Sequence, residues 1–303
     1  IDGFPLKSEW GEIPNFKCFG YYGGMPKLNL KNPEVEKYIT DVACYWIKEC
    51  DIDGWRLDVG DEISHFFWKN FRKAVKAVKK DMLIIGEIWH YAGDFLEGDE
   101  WDTVMNYPFY LNLIDLLADE KITVSQFVQN LGYLKGRLHK NCYPLMWNLI
   151  DSHDTARFLH LCNDNKKKQH LAAAFQLLLP GMPMIYYGDE YAMPGANDPD
   201  CRRGMYWDEE YQDKEMYEWY KRLIQVRKSH ACIVEGELAG SVTEDEEGTI
   251  ILIRKNGEET IAMIFNCSSS AKKFNEYTQK YNLLTENTFD GNVEGFDAAV
   301  IVL

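Results

Sequence analysis

A repeated unit organises the middle of this chain: a short apolar strand, a polar loop and an amphipathic helix follow one another several times. Five strands are predicted from apolar runs that end in polar or acidic residues, at Gly54–Val59, Met82–Glu87, Thr103–Asn106, Leu145–Ile150 and Met182–Tyr187. Strands that alternate with helices indicate a parallel sheet with helical crossover connections. The repeat therefore predicts an α/β fold.

Helices are predicted where apolar residues recur every three to four positions. The first begins after Asn32-Pro33, a pair that suits the start of a helix, and continues to about Cys50. Four more are predicted between or after the strands, near Phe66–Lys79, Tyr110–Ala118, Gln169–Leu179 and Tyr211–Lys228.

Polar and acidic residues cluster just past the C-terminal end of each predicted strand. Barrels and doubly wound sheets both place their functional sites at that end. A doubly wound sheet concentrates functional residues at one switch point, whereas five successive strands here all end in such residues. A barrel is therefore the favoured interpretation.

The pattern changes beyond His230, where alternating β-type segments are separated by Gly, Asn and Ser turns. The clearest segments are Thr249–Arg254, Thr260–Phe265 and Ala298–Leu303. Such alternation is typical of antiparallel strands with one buried face. It predicts a small antiparallel β domain at the end of the chain.

Charge, aromatic content and cysteine spacing restrict the partners. A net charge of −15 disfavours nucleic acid and anionic membrane surfaces, and neither is expected as a partner. A neutral ligand fits better, and 9 Trp with 18 Tyr suit the stacking of sugar rings, although most aromatic residues fill cores and interfaces. The eight Cys have no zinc-type spacing, so no metal site is expected within this sequence.

Two strand ends carry the carboxyl groups that a retaining glycosidase needs, one an ionised nucleophile and the other a protonated acid about 5–5.5 Å away. Asp58 lies two residues after Arg56, so both side chains point to one face, and the guanidinium favours an ionised carboxylate. Glu87 is close in sequence to Trp89, whose apolar ring favours a neutral carboxyl. Asp58 is the candidate nucleophile and Glu87 the candidate acid.

A third strand end bears His153 and Asp154. An oxocarbenium-like transition state is stabilised by a fixed negative charge and by hydrogen bonds to the ring hydroxyls. Each acid taken singly is more simply explained as an ordinary loop carboxylate or helix cap. That explanation weakens for three acids at the ends of predicted strands.

Six segments resemble motifs of the α-amylase family of glycoside hydrolases, family 13. Three resemble its nucleophile, acid/base and stabiliser motifs, in that order: Gly54–Val59 with Glu62 and His65, Gly86–His90, and Ser152–Thr155. Three resemble its neopullulanase, cyclomaltodextrinase and maltogenic amylase branch: Met25–Asn29, Val104–Phe109, and Gly188–Glu190 with Asp198–Arg202. The motifs cover roughly residues 25–228, and the tail resembles the family only as a β-sandwich-like domain.

This resemblance implies a retaining hydrolase of α-1,4-glucans such as cyclodextrins, pullulan or maltooligosaccharides, which works through a covalent glycosyl-enzyme intermediate. Asp58, Glu87 and Asp154 would be the catalytic residues. Arg56 and His153 would line the substrate site at the scissile bond.

Four further residues are implied to bind substrate. Asp198 and Arg202 would contact glucose units on the donor side, and Trp89 and Glu62 would face the acceptor side. From the residues alone, Trp89 is also consistent with a core position, and Asp198 with Arg202 is also consistent with a surface ion pair.

The chain departs from the branch in two respects. Val59-Gly60-Asp61-Glu62 has Gly and Asp where the branch usually has Ala and Asn, which puts acceptor-side preference in doubt. The Asn-His motif of the third barrel strand is absent from the sequence, and Ile1 stands where a Met would begin a complete chain. These features predict the C-terminal portion of a larger protein.

The predicted organisation therefore has three parts. Residues 1–30 are interpreted as the remnant of a loop domain inserted after barrel strand three. Residues 31–230 are interpreted as strands four to eight of a partial (β/α)8 TIM barrel, and residues 231–303 as the C-terminal antiparallel β-sandwich.

Two classes of function remain open at this stage. The first is the hydrolase, which is expected to be inactive without barrel strands one to three. The alternative is a non-catalytic scaffold of the same family that binds glucan or a partner protein; relatives of that kind lose one or more of the three acids, and this chain keeps all three. No cofactor is expected for the chemistry, and any calcium ion is expected to bind in the part of the protein upstream of this sequence. The protein is expected to form a homodimer in one interpretation. Its expected location is the cytoplasm.

Overall fold

The computed structural model describes residues 16–139 and 141–303. The chain forms two compact units, the first ending at Met105 and the second running from Asn106 to Leu303. Among the described residues, no helix is both long and apolar enough to cross a membrane.

The first unit contains a small parallel sheet with helices in its connections. Its elements are α1 (Pro33–Cys50), β1 (Gly54–Leu57), α2 (His65–Val78), β2 (Leu83–Gly86) and β3 (Thr103–Val104). The strand order is β1-β2-β3, and all the strands are parallel. The register pairs Leu57 with Gly86, so the residues that follow β1 and β2 emerge side by side.

Local capping fixes where the two helices of this unit begin. The side chain of Asn32 accepts a hydrogen bond from the backbone N–H of Glu34, and Pro33 occupies the first turn of α1. Ser64 caps α2 through the backbone N–H of Phe67. The predictions for both helices are confirmed to within one or two residues.

An aromatic stack packs against the end of β2. The rings of Phe95 and Trp101 are nearly parallel, with centroids 4.1 Å apart, and Trp101 is fully buried. A Cβ atom at Gly86 would lie 2.2 Å from the Trp101 ring, closer than any van der Waals contact allows. Gly86 is therefore required by close packing.

The helical part of the second unit also has parallel strands. Its elements are α3 (Tyr107–Leu113), α4 (Val124–Arg137), β4 (Trp147–Leu149), α5 (Phe158–Leu161), α6 (Lys166–Leu178), β5 (Met182–Met184), α7 (Lys214–Ser229) and α8 (Cys232–Glu235). Strands β4 and β5 pair in parallel. The five strands predicted along the chain are all present, although each is shorter than predicted.

Three helices of this unit, α4, α5 and α8, were not predicted, and the predicted ones start three residues earlier or later than expected. Helix α3 starts at Tyr107, earlier than expected, because the Asn106 side chain caps it by accepting from the N–H of Phe109. Helix α4 was not predicted, although apolar residues at Val124, Phe127 and Leu131 keep helical spacing; Gly132 and Gly136 are two poor helix formers within it. It begins with a capping box in which the side chains of Thr123 and Gln126 each bind the other residue's backbone N–H.

The end of the chain is antiparallel, as predicted. Its strands are β6 (Glu237–Glu244), β7 (Thr249–Asn256), β8 (Glu259–Asn266), β9 (Lys272–Lys273), β10 (Tyr281–Asn282), β11 (Asn287–Thr288), β12 (Asn292–Val293) and β13 (Asp297–Val302). Six of them form a sheet in the order β11-β10-β13-β8-β7-β6, while β9 and β12 form a separate ladder. The ring of Phe265 stacks on that of Phe175 in α6, with centroids 4.3 Å apart, so one face of the sheet covers this helix.

Replacing Gly86 by Ala should destabilise the protein by about 1–3 kcal/mol, because the new methyl group must displace the buried Trp101 ring. Gly132 offers a matched control: it is exposed in α4 with open space around its Cβ position, so Gly132→Ala should stabilise by about 0.5–1 kcal/mol. Urea unfolding of the two variants measures the difference. Equal effects would contradict the packing assigned to Gly86.

Candidate active site

In the first unit, one guanidinium holds the two carboxyl groups that the sequence singled out. Arg56 lies in β1, and its Nη1 is 2.5 Å from Oδ1 of Asp58, the residue that follows the strand. Its Nη2 is 2.9 Å from Oε1 of Glu87, which follows β2. Because β1 and β2 are parallel and in register, the two acids emerge from the same edge of the sheet and share one cation.

The two acids have opposite exposures. The Asp58 side chain is 75% exposed, whereas that of Glu87 is 5% exposed. Glu87 also accepts hydrogen bonds from the backbone N–H of Val59 at 2.9 Å and from Nε1 of Trp89 at 3.3 Å. Trp89 thus presents a polar N–H to Glu87, not only the apolar ring that the sequence suggested.

Val59, directly after Asp58, has a left-handed backbone conformation with φ 45°. That conformation costs a non-glycine residue on the order of 1–3 kcal/mol and is unusual for a β-branched side chain. It turns the Val59 N–H towards the Glu87 carboxylate, while the N–H of Gly60 donates to the Glu87 carbonyl at 3.2 Å. The strained backbone at Val59 therefore occurs in the same turn that holds Glu87 in place.

Glu62, expected to face substrate, is engaged by the segment that precedes α1. Its Oε2 is 2.7 Å from Nζ of Lys27, and its Oε1 accepts from the N–H of Gly20 at 2.9 Å. Lys27 also donates to the Glu62 carbonyl. The segment 25–29 and the motif of Gly54–Val59 with Glu62 are therefore joined by Lys27 and Glu62. Half of the predicted loop 1–30 lies outside the described residues, which start at residue 16.

In the second unit, four other predicted residues come together. Nε2 of His153 is 3.1 Å from Oδ2 of Asp154, and Nη2 of Arg202 is 3.3 Å from Oδ1 of the same carboxylate. Nε of Arg202 is 2.8 Å from both the carbonyl of His153 and Oδ1 of Asp198. Arg202 thus links the loop after β4 to the loop after β5.

Hydrogen bonds within the loop after β4 set its shape. The N–H of Ser152 donates to Oγ1 of Thr155, and the N–H of Asp154 donates to Oγ of Ser152. Oγ of Ser152 also lies 3.1 Å from the hydroxyl of Tyr107. These short-range bonds present the side chains of His153 and Asp154, which are about one-third exposed, on a loop whose base is buried.

The sequence reasoning did not identify a second group of charged residues beneath this loop: Asp151, Arg157 and Asp189, all fully buried. One sequence feature could have indicated that Asp151 is buried: it comes directly after the apolar pair Leu149-Ile150, which predicts a side chain that points into the core. Within the described part of the chain, no cluster of three or more His, Cys, Asp or Glu side chains is arranged to hold a metal ion.

Comparison with known proteins gives a consistent family match. Residues 8–236 match the family model described as alpha amylase, catalytic domain. The chain is 45% identical over 271 residues to a cyclomaltodextrinase from Geobacillus thermopakistaniensis, covering 89% of this chain and 46% of that protein. It is 42% identical over 267 residues to an intracellular maltogenic amylase from Bacillus subtilis, covering 88% of this chain and 45% of the relative.

A solved cyclomaltodextrinase structure superposes on the chain with a TM-score of 0.89 at 35% identity, covering 95% of this chain and 52% of that one. The chain therefore has the fold of this catalytic domain, a TIM barrel, together with a C-terminal antiparallel sheet. It spans about half the length of the curated relatives described above.

Replacing Arg56 by Met should destabilise the protein by about 2–3 kcal/mol, since it leaves the buried Glu87 without its cation. Asp58→Asn is the matched test of the other ion pair and should change the free energy of unfolding by less than about 1 kcal/mol, because Asp58 is mostly exposed. Urea unfolding at neutral pH measures both. A larger loss for Asp58→Asn than for Arg56→Met would show that the guanidinium serves Asp58 instead.

Proposed function

Because the chain belongs to the α-amylase family, we propose that it is the catalytic part of a retaining glycoside hydrolase that acts on α-1,4-glucans. The observation that carries this proposal is the contact of one Arg56 guanidinium with both Asp58 and Glu87. Retention requires two carboxyl groups about 5–5.5 Å apart, and a shared guanidinium keeps two carboxyl groups close without bringing them into contact.

The two acids are assigned by their surroundings. Asp58 is exposed enough to reach an anomeric carbon and is paired with a cation, so it is the nucleophile. Glu87 is enclosed and fixed by Val59 and Trp89, so it is the acid/base. In the first step, Glu87 gives its proton to the leaving glycosidic oxygen while Asp58 bonds to C1. In the second step, Glu87 takes a proton from water, whose oxygen displaces Asp58 from C1.

The remaining site residues bind and stabilise the reacting sugar. Asp154 supplies negative charge for the oxocarbenium-like transition state, and His153 donates a hydrogen bond to a ring hydroxyl. Asp198 and Arg202 bind donor-side glucose units; their contacts with each other and with Asp154 hold them in one cluster.

On the acceptor side we assign Trp89 and Glu62. The Trp89 ring is 41% exposed, which leaves a surface on which an acceptor sugar can stack. Both carboxylate oxygens of Glu62 are engaged, one by Lys27 and the other by the N–H of Gly20, so Glu62 acts on the acceptor side by holding that segment.

We also propose that β1 to β5 are strands four to eight of the (β/α)8 barrel, with the domain boundaries at residues 30 and 230 and a β-sandwich beyond them. The order of the motifs and the half-length coverage of the relatives support this assignment.

Cyclodextrins and short maltooligosaccharides are the proposed substrates, because relatives are named cyclomaltodextrinase and maltogenic amylase. The name of the second includes the word intracellular, which supports a cytoplasmic location; calcium upstream and a homodimer stay predictions.

The role assignment predicts opposite stereochemistry for two variants of the full-length gene product that contains this sequence. In Asp58→Ala no covalent intermediate forms, so added azide should attack directly and give an inverted glycosyl azide. In Glu87→Ala the intermediate should still form from a glycosyl fluoride, and azide should resolve it with retained configuration.

Product configuration by NMR decides between the roles, and activity of Glu87→Ala on maltooligosaccharides should fall about 10²–10⁴-fold. If the two configurations are exchanged, the roles must be exchanged. If the unsubstituted gene product binds maltooligosaccharide without turnover, the glucan-binding scaffold is favoured instead.

A second prediction tests whether Arg202 binds substrate or is only a surface ion pair. Arg202→Gln should raise KM for maltooligosaccharides by about 10- to 100-fold, because a charge-assisted contact is lost. Arg203→Gln is the matched control, since Arg203 has the same exposure and pairs with Asp200. Steady-state kinetics should leave KM of the control near that of the parent; a similar rise in both variants would rule out a specific role for Arg202.

A further inference from the structure

Three charged side chains are completely enclosed beneath the loop that carries His153 and Asp154. Asp151 follows β4, Asp189 lies in the turn after β5, and Arg157 precedes α5; none is more than 1% exposed. Nη1 of Arg157 is 2.9 Å from Oδ1 of Asp189, and Oδ1 of Asp151 accepts from the backbone N–H of Phe158 at 2.5 Å. The carboxyl groups of Asp151 and Asp189 lie close enough for each to shift the pKa of the other.

The charges of this cluster do not balance if both acids are ionised. Two carboxylates and one guanidinium leave a net negative charge in a fully buried position, where an unpaired ion costs several kcal/mol. Oδ2 of Asp151 and Oδ2 of Asp189 are both buried, and neither meets an N–H or O–H donor among the described residues. One proton placed between the two carboxyl groups removes the excess charge and satisfies both oxygen atoms.

We propose that Asp151 and Asp189 hold a single proton between them, with Asp151 the donor to the carboxylate of Asp189, and that this neutral cluster positions the His153–Asp154 loop. Asp189 is the ionised partner because it, and not Asp151, bears the direct contact with Arg157. The positioning role rests on the proposed function, since it concerns the residues assigned to transition-state stabilisation and donor-side binding.

Arg157 carries the effect of the cluster to both loops. Its Nε donates to the carbonyl of Cys201, its Nη1 to the carbonyl of Tyr187, and its backbone N–H to the carbonyl of Gly195. The neighbouring Arg202 then binds the carbonyl of His153 and the carboxylate of Asp154. A guanidinium kept in place by Asp189 therefore anchors the loop after β5 against the loop after β4.

In the part of the chain that the structure describes, none of the other titratable groups that face Asp151 and Asp189 from the surrounding elements is a cation. They are Glu190 beside Asp189, Tyr110 of α3, Cys162 at the end of α5 and Tyr220 of α7. Burial raises the pKa of Tyr110 and of Cys162 to about 12 and raises that of Tyr220 well above its usual range, so these groups stay neutral. Burial and the nearby carboxylate of Asp189 raise the pKa of Asp151 well above its usual range.

The raised pKa of Asp151 determines how the stability of the protein changes with pH. A carboxyl whose pKa is raised by folding contributes its stability below the pKa of the unfolded chain, about 3.9 for Asp, and loses it as pH rises through the folded value. Asn at position 151 keeps a donor for Asp189 and does not titrate. The melting temperature of Asp151→Asn relative to the parent should therefore increase with pH.

Thermal unfolding of the full-length gene product tests this between about pH 5 and pH 8, and the relative gain expected for Asp151→Asn is at least about 3 °C. Asp208→Asn is the matched control, because it removes one exposed carboxylate and should stay parallel to the parent at every pH. A difference between Asp151→Asn and the parent that does not change with pH overturns the shared proton.

The single charge of the pair gives a second test. Either Asp151→Asn or Asp189→Asn leaves one carboxylate near Arg157, whereas the double variant leaves none. The loss in melting temperature of the double variant should therefore exceed the sum of the two single losses by on the order of 10 °C. Additive losses would show that the two acids do not share one charge.

Infrared spectroscopy keeps the proposal testable if a variant fails to fold. A Glu87→Gln background removes the other enclosed acid assigned a proton. In that background at neutral pH, the protein should show the C=O band of a protonated, buried carboxylic acid, which adding Asp151→Asn should remove and adding Asp208→Asn should keep. Absence of the band from the Glu87→Gln protein overturns the proposal.

These readouts need no turnover, so an inactive protein would sink the proposed function and leave the shared proton standing. For an active protein, Asp151→Asn should extend activity to higher pH than the parent, whereas an unchanged pH profile would exclude the positioning role.

Discussion

The first unit depends on the contact between Arg56 and the two carboxyl groups that follow β1 and β2. Parallel pairing brings the strand ends to one edge, where two carboxylates would repel each other without a cation between them. One guanidinium has two terminal nitrogens, so it can hold Asp58 and Glu87 at once, whereas a lysine ammonium is a single point of charge. The strained turn at Val59 then fixes Glu87 from the backbone side.

The second unit contains the same combination of two acids and one arginine, but burial changes its chemistry. Asp58 is largely exposed, so water shares the charge that Arg56 leaves unbalanced. Asp151 and Asp189 have no such access, and a proton must take the place of water. In the first unit, one member of the pair, Asp58, is exposed and can meet substrate beside the enclosed Glu87. In the second unit both members are enclosed, so the Asp151–Asp189 pair is suited to positioning.

The strand–helix order and the antiparallel end of the chain could be predicted from the sequence, because hydrophobic periodicity and strand-end acids are local signals. Of the nine residues named as site candidates, eight lie in two contact groups. Glu62 was named, but its partner Lys27 lies 35 residues earlier, and nothing local indicates that contact. Helix α4 was missed although its apolar residues keep helical spacing, and Thr123 and Gln126, which form its capping box, were available as a local signal. The buried Asp151–Asp189 pair was missed because two acids from different loops meet only once the chain is folded.

The C-terminal sheet contributes to the site although it supplies none of the residues assigned to it. Helix α6 lies between strands β4 and β5 on one side and this sheet on the other, with Phe175 stacked on Phe265. From that enclosed helix, Nε2 of Gln176 donates to the carbonyl of Met184 in β5, and Nε2 of Gln169 donates to the carbonyl of Asp189. Burial strengthens such bonds. By burying α6, the sheet supports the bonds of Gln176 to β5 and of Gln169 to the segment of Asp189, the partner of Arg157.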